Sequence, residues 1–141
     1  GYSSAASDVY KRQAYAVKPD VAVILESTTA ADIDGVTGGD KCCVLGKGPV
    51  VSFMDGRTIY DKQIFDLAFE VAKENNIKIQ TKTKIAGGND AGAIQKSGAG
   101  CRVAAVSLPC RYIHSGSSVV KIGDIEETRR FLPLFLSKLY D

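Results

Sequence analysis

Two short apolar runs, far apart in this 141-residue sequence, restrict the folds that the chain can adopt. Residues 21–25 read "VAVIL", and residues 101–109 read "CRVAAVSLP". Continuous runs of this length are typical of strands that are buried on both faces of a parallel or mixed sheet. Both faces of such a sheet must be covered, so the rest of the chain should supply amphipathic helices.

Strand and helix patterns alternate between the two runs. Residues 49–55, "PVVSFMD", predict a strand that begins at Pro49, and residues 77–83, "IKIQTKT", predict a half-exposed strand near the sheet edge. Residues 61–75 place apolar side chains on one face of a helix, and residues 85–100 predict a glycine turn followed by a short helix. This order predicts an α/β fold, a three-layer αβα sandwich with a mixed sheet.

A further helix is predicted at the C-terminal end of the sequence. Asp124 and Glu127 have the spacing of a capping box at its start. Pro133 falls inside the helical pattern and removes a backbone hydrogen bond, so we expect a kink or a break near residues 129–130.

Composition predicts one folded domain and excludes two classes of partner. The chain is 45% hydrophobic and 24% charged, which suffices for a substantial core. Its 18 basic and 16 acidic residues are scattered without charged blocks, so we expect no nucleic-acid partner and no membrane partner. No apolar run reaches the roughly 18 residues that span a bilayer, and we expect a cytoplasmic protein.

The four cysteines and the first residues complete this description. Cys42, Cys43, Cys101 and Cys110 form no CxxC pair and no dense framework, so we interpret them as reduced thiols that are mostly buried. Residues 1–13, "GYSSAASDVYKRQ", are polar and unpatterned. We interpret them as a tail, a tag or a foreign junction, and we expect the organised domain to cover residues 14–141.

Glu26 and His114 form the first candidate site. Each lies at or just after the end of a predicted buried strand, where α/β sheets place their ligands. A carboxylate and a neutral imidazole are ligands that zinc, cobalt or manganese accept. From the residues alone, the alternative of two ordinary polar side chains at strand ends stays open.

The segment "GGNDAGAIQ", residues 87–95, forms the second candidate site. Gly87 and Gly88 permit a close approach of the backbone, and Asn89 or Asp90 can cap the short helix. Amide groups at the start of this helix could hold an anionic or carbonyl oxygen of a ligand, including a small anion. The segment lacks the GK[ST] ending of a phosphate loop. A plain turn with a helix cap is the alternative.

Several ordered blocks carry a resemblance to a known family. "DVAVILESTTAAD", "VLGKGPVVSFMD", "GGNDAGAIQ" and "CRYIHS" follow in the order found in the C-terminal part of the glutamyl-aminopeptidase/endoglucanase-like metallo-aminopeptidases, which include the TET peptidases. The resemblance covers the chain from about Ala14 to its end and implies a zinc-peptidase-like αβα fold. It implies two divalent metal ions, zinc or cobalt, a peptide substrate cut at its N-terminal residue, and homo-oligomers of the full-length enzyme. By the same resemblance, Glu26 binds one metal and His114 the other.

The chain also departs from the family pattern. The family's Glu-Glu pair, which supplies the general base and one ligand, has no counterpart in residues 1–13, and its other ligands lie further upstream. Glu26 stands where many relatives carry Asp, and Asn89 where Thr is usual. We therefore expect a C-terminal fragment that is inactive alone, holds the ligands Glu26 and His114, and contributes residues 87–90 to the substrate pocket. The alternative is a non-catalytic αβα module for binding or assembly that has lost its metals.

Overall fold

The computed structural model describes residues 3–85 and 87–140, with side chains from residue 8 onward. The elements, in chain order, are α1 (Ser3–Val17), β1 (Val21–Thr29), β2 (Val50–Val51), α2 (Lys62–Glu74), β3 (Gln80–Thr81), α3 (Ala91–Ile94), β4 (Arg102–Cys110) and α4 (Ile122–Tyr140). From β2 onward helices and strands alternate, as the sequence predicts, and a long connection without an α-helix joins β1 to β2. A short 3-10 turn, Gly38–Asp40, lies in the long connection between β1 and β2.

The four strands form one mixed sheet in the order β1-β4-β2-β3. The two long strands β1 and β4 are parallel and pair from Val21 opposite Arg102 to Thr29 opposite Cys110. β2 runs antiparallel to β4 and parallel to β3. The predicted α/β fold with a mixed sheet is therefore confirmed, and β3 lies at the sheet edge, as "IKIQTKT" predicts.

Helices cover both faces of this sheet, because successive side chains of a strand point to opposite sides. Ala104 and Val106 of β4 belong to a core with buried residues of α2 and α4, such as Ile64 and Phe131. Val103 and Ala105 face the other way and pack with Tyr60 and Ala91, the first residue of α3. These two cores on either side of one sheet form the predicted three layers.

Three strands differ in length from the sequence prediction. β1 continues past Glu26 to Thr29, because residues 27–29 keep their pairing with β4 and Thr28 is buried. Glu26 therefore lies inside the strand, and the prediction that the strand ends there is wrong. β2 and β3 have two residues each and are shorter than the runs "PVVSFMD" and "IKIQTKT".

Helix α4 has neither the predicted break nor the predicted capping box, and the kink near residues 129–130 stays a prediction. It continues through Pro133 without a break, since Phe131 and Phe135 on either side are fully buried and stack at 5.1 Å between ring centroids. Asp124 lies in the first turn and is not its cap: its carboxylate accepts hydrogen bonds from the amides of Gly46 and Gly48 at 2.7 and 2.8 Å. The capping-box prediction is wrong, because Asp124 lies inside the helix and its carboxylate is taken by the amides of a distant loop.

At the other end of the chain, α1 begins at Ser3, earlier than the predicted start of organised structure near Ala14. The hydroxyl of Ser97 donates a hydrogen bond to the carbonyl of Lys11 at 2.9 Å, which ties α1 to the segment after α3. The origin of residues 1–13 as a tail, tag or junction stays a prediction. Within the described residues, no helix is both long and apolar enough to cross a bilayer.

Candidate functional site

Glu26 lies on the face of β1 that points toward α3. Ala22 and Ile24 of the same strand pack against the core of that face, and strand alternation places Glu26 on the same side. Its Oε1 accepts a hydrogen bond from Nδ2 of Asn89 at 2.7 Å. Burial raises the pKa of Glu26, and the hydrogen bond from Asn89 opposes this rise because it stabilises the ionised carboxylate.

Asn89 joins the second candidate segment to the first. Its Nδ2 also contacts the hydroxyl of Tyr60 at 2.8 Å, and its Oδ1 accepts from the amide of Ala91 at 2.9 Å. Asn89 is therefore the side chain that caps α3, whereas Asp90 makes no such capping bond. The turn before it has Gly87 at a φ of +63°, with the Gly87 carbonyl accepting from the amide of Gly56 at 2.8 Å.

Two further buried residues, Asp55 and Tyr60, extend this network and were missed by sequence reasoning. The Tyr60 hydroxyl donates to Oδ2 of Asp55 at 2.6 Å. Oδ1 of Asp55 accepts from the amides of Arg57 and Thr58 at 2.8 and 2.9 Å, which makes a tight turn. The Asp-Gly pair at residues 55–56 signals such a turn. No local pattern shows that the turn lies beside Glu26.

His114 lies in a loop that follows β4. The loop closes where Arg111 and Val119 exchange backbone hydrogen bonds at 2.9 and 3.0 Å. His114 is exposed, has a φ of +66°, and makes no side-chain hydrogen bond to the described residues. Since β4 is parallel to β1 and paired with it, His114 follows the carboxyl end of the strand next to the one that carries Glu26.

A partly buried ion pair fixes the start of this loop. Nε and Nη2 of Arg111 donate to the two carboxylate oxygens of Asp32 at 2.7 and 3.0 Å. The amide of Leu45 also donates to Asp32 at 2.9 Å. The hydrogen bonds from Arg111 lower the pKa of Asp32 despite its burial. The residue three positions before His114 is thus tied to the long connection that follows β1.

The metal-binding groups of the described ranges do not form a complete site. Across residues 3–85 and 87–140, no three or more histidine, cysteine, aspartate or glutamate side chains lie together in a way that could hold a metal ion. The cysteines are unpaired, and Cys42, Cys43 and Cys110 are buried, as the sequence predicts. Burial raises the pKa of Cys43 to about 12, so this thiol stays protonated at neutral pH.

Comparison with known proteins places the chain in a family. The family model described as M42 glutamyl aminopeptidase matches residues 8–131. The chain belongs to this family. The lysyl aminopeptidase of Pyrococcus furiosus is 29% identical over 126 residues, which are 89% of this chain and 35% of that protein.

Solved structures of other aminopeptidases and peptidases share the fold. Aminopeptidase APDkam598 from the archaeon Desulfurococcus kamchatkensis superposes with a TM-score of 0.85 at 30% identity, over 89% of this chain and 36% of that one. The TET1 peptidase of Pyrococcus horikoshii, described as assembling into a tetrahedron or a large octahedral shell, gives 0.72 at 26% identity, over 91% and 36%. The chain therefore spans about a third of the length of these relatives.

Proposed function

We propose that this chain forms part of the catalytic region of a metal-dependent aminopeptidase, which hydrolyses N-terminal residues from peptides. The observation that carries the proposal is the 2.7 Å hydrogen bond between Glu26 and Asn89. It joins the two segments that the sequence marks as candidate sites, although they lie 63 positions apart. Two unrelated polar side chains would not require this contact.

Glu26 and His114 are the residues that we propose as metal ligands. Their oxygen and nitrogen donors suit zinc or cobalt, and both follow or lie near the carboxyl ends of paired parallel strands. Two such ions, when bound, lower the pKa of a water molecule and polarise the scissile carbonyl. The remaining ligands and the general base would come from other parts of a longer polypeptide.

Residues 87–90 are proposed to border the bound peptide. Gly88 lies so close to Arg57 that a Cβ at this position would come within 2.7 Å of its side chain. The absence of side chains at Gly87 and Gly88 leaves backbone groups exposed beside Asn89. We place Asn89 and Asp90 in the same pocket wall, since both follow this turn directly.

The assembly and the location of the protein are proposed on separate grounds. Because the TET1 relative assembles into closed shells, we propose that the full-length protein forms homo-oligomers. The four unpaired cysteines are typical of the cytoplasm, where thiols stay reduced.

The test uses the longer polypeptide that contains this segment, purified without metal and then loaded with zinc or cobalt. We expect it to release N-terminal residues from peptides that begin with Glu, Lys or Leu, and to lose this activity in a chelator. Glu26→Gln and His114→Ala should each reduce kcat by at least about a hundredfold. Glu126→Gln, which changes an exposed carboxylate on α4, is the matched control and should keep full activity. Full activity of both site variants would refute the proposal.

A non-catalytic αβα module for binding or assembly is the second candidate function. A longer polypeptide that binds no zinc or cobalt and cuts no peptide, yet still forms oligomers, would establish this alternative.

A further inference from the structure

The hydrogen bonds around Asn89 leave its side chain a single orientation. Oδ1 accepts from the amide of Ala91, which can only donate. The amide nitrogen must therefore face the opposite way, toward Oε1 of Glu26 at 2.7 Å and the Tyr60 oxygen at 2.8 Å. A flipped side chain would place its carbonyl oxygen against a carboxylate and its NH2 group against a backbone N–H.

The direction of the hydrogen bonds around Tyr60 is fixed as well. Asp55 already accepts two backbone amides through Oδ1, so its Oδ2 is the acceptor for the Tyr60 proton at 2.6 Å. Because the Tyr60 hydroxyl donates its proton in the hydrogen bond to Asp55, its oxygen can only accept from Asn89. Tyr60 and Asp55 are both more than nine-tenths buried, which keeps water from competing for these bonds.

We infer that Asn89 is a positioning residue that fixes the carboxylate of Glu26, and that Asp55 and Tyr60 in turn fix Asn89. Glu26 reaches the site through three rotatable bonds, and a hydrogen bond to its carboxylate restricts the positions that the two oxygens can take. Outer partners that orient a ligating side chain commonly change metal affinity by about 10–100-fold. This inference rests on the proposed function, because Glu26 is the ligand that Asn89 would orient.

The test measures zinc affinity of the longer polypeptide by competition with a chelating chromophore, with zinc alone as the probe. Asn89→Ser shortens the side chain so that it no longer reaches Glu26, while its hydroxyl can still accept from the Ala91 amide. We expect about a tenfold loss of affinity at one of the two ions. Asn75→Ser, which removes a side-chain hydrogen bond at the end of α2, is the matched control and should bind zinc as the wild type does.

A double-mutant cycle separates positioning from a purely structural role. In a Glu26→Gln background, Asn89→Ser should lower the affinity for the zinc that is still bound less than about twofold, because there is no longer a carboxylate to orient. An equal loss in both backgrounds, or no loss in the wild-type background, would overturn the inference. Tyr60→Phe removes the hydroxyl that holds Asn89 and should produce a smaller loss that also vanishes in the Glu26→Gln background. If Asn89→Ser does not fold, Tyr60→Phe provides the same test.

The same cycle tells the two proposals apart. If Glu26→Gln leaves zinc affinity and the number of bound ions unchanged, Glu26 is not a ligand and the proposed function fails at this residue. If Glu26→Gln costs one bound ion while Asn89→Ser and Tyr60→Phe both match the wild type, the ligand assignment stands. In that case only the positioning role is refuted.

Discussion

By the resemblance to the metallo-aminopeptidases, Glu26 stands where many relatives carry Asp and Asn89 where Thr is usual, and these two side chains are hydrogen-bonded to each other. Glutamate has one more methylene than aspartate, which places its carboxylate further from the strand. Asparagine supplies an NH2 group that reaches this more distant oxygen at 2.7 Å, while its carbonyl end caps α3. The two departures are therefore compatible as a pair, since one side chain lengthens and the other provides the matching donor.

Gly48 illustrates a residue whose identity is set by backbone geometry. It has a φ of +82°, and a Cβ here would lie 2.2 Å from the carbonyl oxygen of Lys78. The Lys78 oxygen belongs to the backbone, and the added Cβ is held rigidly by the backbone of residue 48. Neither atom can move away at low energetic cost. We expect Gly48→Ala to lower the free energy of unfolding by about 2 kcal/mol or more, measured by urea denaturation.

Gly39→Ala is the control for this prediction. Gly39 has no left-handed φ, and a Cβ there would meet no atom within 4 Å. Its free energy of unfolding should stay within about 0.5 kcal/mol of the wild type. Equal stabilities for the two variants would contradict the argument from the Lys78 contact.

Residue types alone were sufficient to nominate Glu26, His114 and residues 87–90 as candidates. They were not sufficient for Asp55 and Tyr60, because the Asp-Gly turn is a common local motif and its position next to β1 depends on packing between distant segments. The sequence thus predicts which side chains are candidates for the site. The hydrogen-bond network that orients them depends on contacts between segments that are distant in the sequence.

Between elements, polar side chains rather than regular pairing hold the connections in place. The connection after β1 is attached by Asp32 to Arg111 at the end of β4, and the loop before β2 is attached by Asp124 of α4 to the amides of Gly46 and Gly48. The sequence predicts α2 closely, with Asp61 at its N-cap accepting from the amide of Ile64. It fails for Asp124, since a capping-box spacing cannot reveal that a distant loop takes the same carboxylate.

The ion pair between Asp32 and Arg111 makes stability depend on pH. Because hydrogen bonds from Arg111 lower the pKa of Asp32 in the folded chain, its contribution is fully present above the ordinary pKa of 3.8. The contribution is lost as the pH falls through the lower folded-state value. We expect Asp32→Asn to cost roughly 1.5–3 kcal/mol at pH 7 and progressively less below about pH 3.8, measured by urea denaturation across this range.

Asp40→Asn is the matched control in the same connection. Asp40 pairs with Lys84 at 2.8 Å, but both side chains are largely exposed. Asp40→Asn removes this ion pair and should leave the free energy of unfolding at pH 7 nearly unchanged, since exposed ion pairs contribute little. A cost for Asp32→Asn that stays constant down to pH 2 would show that burial, and not the charge on Asp32, accounts for the effect.

For the whole molecule, the order of layers follows from the sequence, whereas the sheet topology does not. Alternating apolar runs and amphipathic helices allow few arrangements other than helices on both faces of a sheet. These patterns do not predict that β2 runs antiparallel to β4, or that β2 and β3 have only two residues each. Strand direction and strand length both depend on long-range hydrogen bonds. The chain also spans about a third of the length of its relatives. A metal site that takes its ligands from several segments would be incomplete in this part of the polypeptide.

The isolated 141-residue chain should bind zinc only weakly. Glu26 and His114 are the proposed ligands, and the described residues add no cluster of three metal-binding side chains. Because stable zinc sites in proteins use three or four protein ligands, we expect affinity weaker than about 1 μM and no peptide hydrolysis. Isothermal titration calorimetry with zinc checks the affinity, and His114→Ala serves as the paired variant. Sub-micromolar binding that disappears in His114→Ala would mean that the chain completes its own metal site.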